Sequence, residues 1–136
     1  MAPEPIEPTV AAGGDDTRVP PGWPPGVPPA GADGWRDRAV AWLLDYCPAD
    51  YRGYAGWRRH PLALAWIAGM HIDAQVDVMR EAYRQARVRL GGELPPEALA
   101  EVLRTIEAEG LRLRAAAHAA HLLTDALEGR TWVPRL

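Results

Sequence analysis

The side chains of this sequence with the most chemical scope are four histidines, one cysteine and a short ladder of carboxylates. His118 and His121 stand three residues apart, a spacing that metal ligands on a helix can use. On the helical register derived below, His71 falls at the same height as His118. The three occupy different outer positions, however, so their imidazoles do not converge and no metal site is expected. Asp73, Asp77 and Glu81 repeat every four residues, which lines them along one helix face. Carboxylates arranged this way serve di-metal bundles when Glu-x-x-His recurs on facing helices. That pattern occurs nowhere in this chain, so the ladder reads as a solvated face.

Cys47 precedes Pro48, the dipeptide of heme-regulatory motifs, in which a thiolate ligates iron. The competing reading is a buried thiol at a helix end followed by a residue that stops the helix. A nucleophilic Cys47 would need a base such as His60 and an oxyanion-stabilising loop, and no third group can be named. The sequence therefore points to a non-enzymatic protein without cofactor or metal. A heme or metal sensor, or an enzyme, centred on Cys47 and the histidines is kept as an alternative.

Two Arg-bearing segments have a different chemistry. Arg80, Arg84, Arg87 and Arg89 cover one side of a helix, and guanidinium groups so placed make two-pronged contacts with carboxylates or phosphates. The competing reading is neutralisation by the glutamates of an opposing helix, worth only tenths of a kcal/mol per exposed pair. Between Tyr51 and His60, aromatic residues alternate with Arg52, Arg58 and Arg59. Such a stretch can stack on single-stranded nucleic acid, or Tyr54 and Trp57 can cap a helical core while the arginines screen its edge. The candidate partner-binding residues are Arg80, Arg84, Arg87 and Arg89, with Trp57, Arg58 and Arg59.

Composition narrows the classes. All 15 residues in the Lys and Arg count are Arg, and Lys, Asn, Ser and Phe are missing, a bias that fits a GC-rich bacterial coding sequence. Eighteen acidic residues outnumber the arginines and leave a net charge of −3, the opposite of a general polyanion binder. A single cysteine excludes an internal disulfide and suits a reducing cytoplasm. The first residues carry neither the positive start nor the apolar run of a secretory signal, and no stretch is apolar enough to span a membrane.

Residues 1 to 34 hold nine of the 14 prolines and six of the 13 glycines. With little apolar content to bury, they read as a disordered Pro/Gly-rich tail. Within it, residues 20 to 29 favour a polyproline II helix that could dock in an aromatic groove. The rest, 35 to 136, reads as one all-α domain. A first helix is expected over about 35 to 47, stopped by Pro48. A second runs from about 61 to 90 behind Pro61, and a third from about 96 to 128, opened by Pro95 or Pro96 and closed by Gly129.

The long pair is defined by periodicity. Back from the Gly91-Gly92-Glu93-Leu94-Pro95-Pro96 bend, apolar residues recur at spacings of four and three from Leu90 to Leu62; forward from it they recur from Leu99 to Leu127. Only Gly69 and Glu109 interrupt the two stripes. This predicts an antiparallel coiled-coil helical hairpin with Leu90 near Leu99, Tyr83 near Ile106 and Leu62 near Leu127. At the base, Leu62, Leu64, Trp66, Ile67 and Met70 oppose small alanines of the third helix, and the first helix is expected to cover the surplus. Toward the bend the stripe narrows to the seam, so the tip should protrude. Backbone ordering of so long a hairpin outweighs the burial of its seam, so the first helix, and self-association into a four-helix arrangement, are expected to supply the rest. The function implied is a protein-protein interaction module, an adaptor, regulator or assembly factor, whose partner is another protein or a second copy of itself. A nucleic-acid-associated regulator using the Arg faces is the alternative.

Overall fold

At Gly91 the chain leaves one long helix and at Pro96 it enters another, and the two pack side by side. The structure is a computed structural model and describes residues 18–134. In chain order the helices are α1 (Trp35–Leu44), α2 (Ala55–Arg59), α3 (Pro61–Leu90) and α4 (Pro96–Leu127), with a 3₁₀ turn at Ala49–Gly53. The fold is all-α, and it is dominated by the helical hairpin α3–α4.

Each boundary has a local cause. Pro61 and Pro96 occupy the first turns of α3 and α4, where a missing N–H costs nothing and the fixed φ suits the helix. After Leu90 the backbone tightens, with Leu90 accepting from both Glu93 and Leu94, at 2.9 and 3.0 Å. Gly129 ends α4 with φ of 86°, a left-handed turn that lets its N–H and that of Arg130 reach back to Ala126 and Asp125. The first helix stops at Leu44, three residues short of the expected end. Tyr46 and Cys47 bond to carbonyls only three residues back, because Pro48 drives the residue before it out of the helical region.

The hairpin register is as the spacing implies. Ala65, Ile72, Val76 and Ala86 of α3 are buried with Leu113, Ala116, Ala120 and Leu123 of α4. Gly110 lies against Met79, where a Cβ on the glycine would sit 3.8 Å from that of Met79. The two interruptions also find explanations. Gly69 has no neighbouring atom within 4 Å of where its Cβ would stand. Glu109 turns to Arg112, which holds both its carboxylate oxygens at 2.9 and 2.7 Å and reaches the Tyr46 hydroxyl at 3.2 Å. A seam carboxylate thus becomes part of a tie between α4 and the end of α1.

The core sits at the base, where Trp35, Ala39, Val40, Leu43 and Leu44 of α1 meet Leu64, Ala68 and Ile72 of α3. Gln75 donates to the Tyr46 carbonyl, and the Tyr51 hydroxyl pairs with His71 Nε2 at 3.0 Å. These contacts place α1 and the 3₁₀ turn on one flank of the hairpin.

The largest departure from expectation is N-terminal. Of the stretch read as a disordered tail, residues 1–17 lie outside the described residues, but residues 18–34 form a strap packed on the base. Pro24 and Val27 are buried, Trp23 lies 6.4 Å from Trp35, and its indole N–H donates to the Val27 carbonyl at 2.9 Å. His118 Nε2 meets the Pro21 carbonyl at 3.1 Å. Nor is the strap a polyproline II rod. Trp23 bonds back to Pro20, Val27 to Pro24 and Ala32 to Pro29, with Gly22, Gly26 and Gly31 at φ of 90°, 83° and 93°. These are successive β-turns with Gly third, the type II arrangement that Pro-Pro-Gly favours because proline presets φ before the glycine takes a positive one. Folding the segment into turns brings its few apolar side chains to one side, which is how so proline-rich a stretch contributes to a core. Trp132 returns beside this strap.

Candidate functional site

Because α1 and the strap lie on one flank of the hairpin, the opposite flank is left bare from base to tip. At the base, Leu62, Trp66 and Met70 recur every four residues on α3 and are 41%, 62% and 53% exposed. They border a shallow depression floored by Gly69 of α3 and Ala117 and Ala120 of α4, with His121 on its rim. Half-way up, a second groove runs between Val76, Met79 and Tyr83 on one side and Ile106, Gly110 and Leu111 on the other. Small residues make both hollows, since glycine and alanine at these positions leave the large side chains beside them standing proud. α1 was expected to cover the surplus apolar surface of α3; it covers Leu64 and Ala68 but not Leu62, Trp66 or Met70. The flank thus carries two apolar hollows, one at the base and one half-way up, with charged residues between and beside them.

The charges on this flank are ordered. On α3, Asp73 and Asp77 lie toward the base and Arg80 and Arg84 toward the tip. On α4 the order is reversed, with Arg114 toward the base and Glu107 toward the tip. The flank is therefore a checkerboard of four charged quarters around the upper groove.

The candidate arginines divide accordingly. Arg80 and Arg84 line the upper groove, and their neutralising partners come from their own helix: Asp77 at 3.6 Å for Arg80, and Glu81 for Arg84. The glutamates of the opposing arm, expected in that role, do not supply it. Glu81 also accepts from Gln85, and these two hydrogen bonds hold its carboxyl below the ordinary range. Arg87 lies over the Tyr83 ring at 5.8 Å. Arg89 is exposed, but its place in the seven-residue repeat puts it on the other flank, so it does not join the three. At the base, Trp57 is half-buried and stacked on Tyr51 with ring centroids 5.2 Å apart, and Arg58 donates to the Arg52 carbonyl at 2.9 Å. Both side chains serve the packing of the linker; Arg59 is exposed. Tyr54, expected to cap the core with Trp57, is 55% exposed.

The groups of chemical interest lie apart. His71 meets Tyr51, His118 meets the strap, and His121 faces Asp125 at 3.7 Å. Among the described residues no three His, Cys, Asp or Glu side chains gather as a metal-binding group. Cys47 is half-buried, and burial raises its thiol above the ordinary range while the nearby Arg52 charge pulls it back in part. That is the direction of a packed thiol, since reactive cysteines need the thiolate. Glu109 is held below the usual carboxylate range by its hydrogen bonds from Arg112, and Arg112 is raised in return.

The chain matches no protein-family model, no curated protein and no solved structure.

Proposed function

We propose that this chain is a non-enzymatic protein-protein interaction module, acting as an adaptor, regulator or assembly factor by presenting the bare flank of its hairpin to a partner. One observation carries the reading: the base is covered on one side by α1 and the strap, while Leu62, Trp66, Met70, Tyr83 and Leu111 stay exposed on the other. A soluble surface does not ordinarily keep large apolar side chains in register along a rigid helix pair without covering them. The hairpin holds them at fixed spacing, so little conformational entropy is lost when a partner docks.

Arg80, Arg84 and Arg87 would contribute orientation more than affinity, because charges at the edge of an apolar strip mainly steer and align a partner. A reducing cytoplasm suits the lone Cys47. Among the described residues no helix is long and apolar enough to cross a membrane.

The test is affinity capture of the tagged full chain from its native cells, with partners identified by mass spectrometry. It is repeated with Trp66→Asp plus Met70→Asp, and separately with Arg80, Arg84 and Arg87 all changed to Glu. Specific partners should be lost from the first variant and reduced in the second. Retention of every partner by both variants would place the docking surface elsewhere.

A further inference from the structure

We propose that a second copy of this chain docks on the bare flank, paired about a two-fold axis that runs along the hairpin, so that both bases lie at one end and each α3 packs on the other copy's α4. This rests on the reading above and names the partner.

An interface between identical copies has to be complementary to itself: whatever residue i meets, that residue on the other copy meets i. Few surfaces satisfy this by accident, because most charge patterns set like against like when rotated onto themselves. Here the flank does satisfy it. Turning one copy about the long axis lays α3 on α4 of the second copy at equal height. Asp73 and Asp77 then face Arg114 of the second copy, and Arg80 and Arg84 face its Glu107. The heights are fixed by the structure, since Gly110 of α4 lies beside Met79 of α3, between Asp77 and Arg80. Asp73, Glu107 and Arg114 have no ion pair among the described residues, so the pairing supplies partners to groups that lack them.

A transverse axis, which would set the two bases at opposite ends, also opposes unlike charges. The apolar side chains decide between the two. With a transverse axis, Trp66 of each copy would land on the polar turn Gly91-Gly92-Glu93 of the other. With a longitudinal axis, Trp66 and Met70 enter the depression floored by Ala117 and Ala120 of the second copy and meet the His121 ring at its rim. Large side chains on one helix then oppose small ones on the other in both halves of the interface, the packing that lets helices approach closely.

The size is sufficient. A helix of 30 residues is about 45 Å long, and two helices side by side are about 18 Å across. The flank therefore offers roughly 800 Å² per copy, the standard size of a specific interface. The product is a four-helix bundle in which every neighbouring pair of helices is antiparallel.

The experiment is sedimentation equilibrium on the purified full chain at about 100 µM, with circular dichroism to confirm that each variant is folded. The unaltered chain should have the mass of two chains, twice 14.9 kDa, and Trp66→Asp plus Met70→Asp should halve it at unchanged helicity. Two charge-reversed variants then read the axis. One carries Asp73→Arg, Asp77→Arg, Arg80→Asp and Arg84→Asp; the other carries Glu107→Arg and Arg114→Glu. With the longitudinal axis each is a monomer alone, and mixing the two restores a dimer of one copy of each. If the first variant alone remains a dimer, the axis is transverse and the proposed arrangement is wrong. A monomeric unaltered chain would overturn self-pairing altogether, and in that case loss of cellular partners from the Trp66/Met70 variant would still support docking of a different protein on the same flank.

Discussion

Replacing Gly22 with Ala should undo the packing of the strap, and the size of the effect can be worked from two contacts. Gly22 has φ of +90°, and a Cβ there would stand 2.3 Å from Cδ2 and 2.8 Å from Nε2 of His118. An L-residue in the left-handed region costs roughly 1–2 kcal/mol. Relieving the collision requires the imidazole to swing away, which forfeits its contact with the Pro21 carbonyl, worth about 0.5–1.5 kcal/mol. The two together give about 1.5–3.5 kcal/mol. The ceiling is the cost of releasing the strap, to which the burial of Val27 contributes about 1.5–3 kcal/mol and the burial of Pro24 and the half-burial of Trp23 add more. Urea unfolding followed by circular dichroism measures the loss, and hydrogen exchange at Trp23 and Val27 localises it. Gly31→Ala is the control, because Gly31 has φ of +93° with nothing within 4 Å of its Cβ position and so carries the conformational cost alone. In a His118→Ala background the extra cost of Gly22→Ala over Gly31→Ala should vanish. If Gly22→Ala is no more destabilising than Gly31→Ala in the unaltered chain, the close approach of strap and α4 is not a feature of the folded protein.

Other outcomes follow from burial and charge. Leu64 is 0% and Leu62 is 41% exposed, so Leu64→Ala should cost about 3–4 kcal/mol and Leu62→Ala less than about 1 kcal/mol in urea melts of a dilute sample. Equal losses would mean that α1 does not lie on the Leu64 side. Gly69→Ala should stabilise by about 0.5–1 kcal/mol through helix propensity alone, given the open space at its Cβ position; a lower thermal midpoint would show that the space is filled. The raised Cys47 thiol should carry less thiolate than a free thiol at pH 8, so its alkylation rate should be lower there and climb only at higher pH. Arg52→Ala removes the one opposing charge and should slow alkylation further, whereas faster reaction would mean that added exposure dominates.

How much of this molecule could be read from its residues depends on whether the signal is local. The bounds of α3 and α4 were legible because proline at a helix start and paired glycines at a bend act on their own neighbours whatever the rest of the chain does, and because a seven-residue stripe selects one face of a helix. The strap carries a local signal as well: Pro20-Pro21-Gly22 and Pro24-Pro25-Gly26 are turn sequences, although their proline content by itself resembles that of a disordered segment. What periodicity could not say is which flank of the hairpin α1 would take. Leu64 and Trp66 sit on either side of the same seam, and their sequence spacing is equally consistent with either being covered.

The sequence by itself therefore determined the helices, their reversal and their register, since these arise from backbone constraints and spacing along one chain. Only the tertiary structure decided that Leu64 and Ala68 are covered while Leu62, Trp66 and Met70 are not, that Glu109 is held by an arginine reaching Tyr46, and that Gly22 lies against His118. Each of these depends on where a distant segment comes to rest, and that is settled by packing between side chains far apart in the chain.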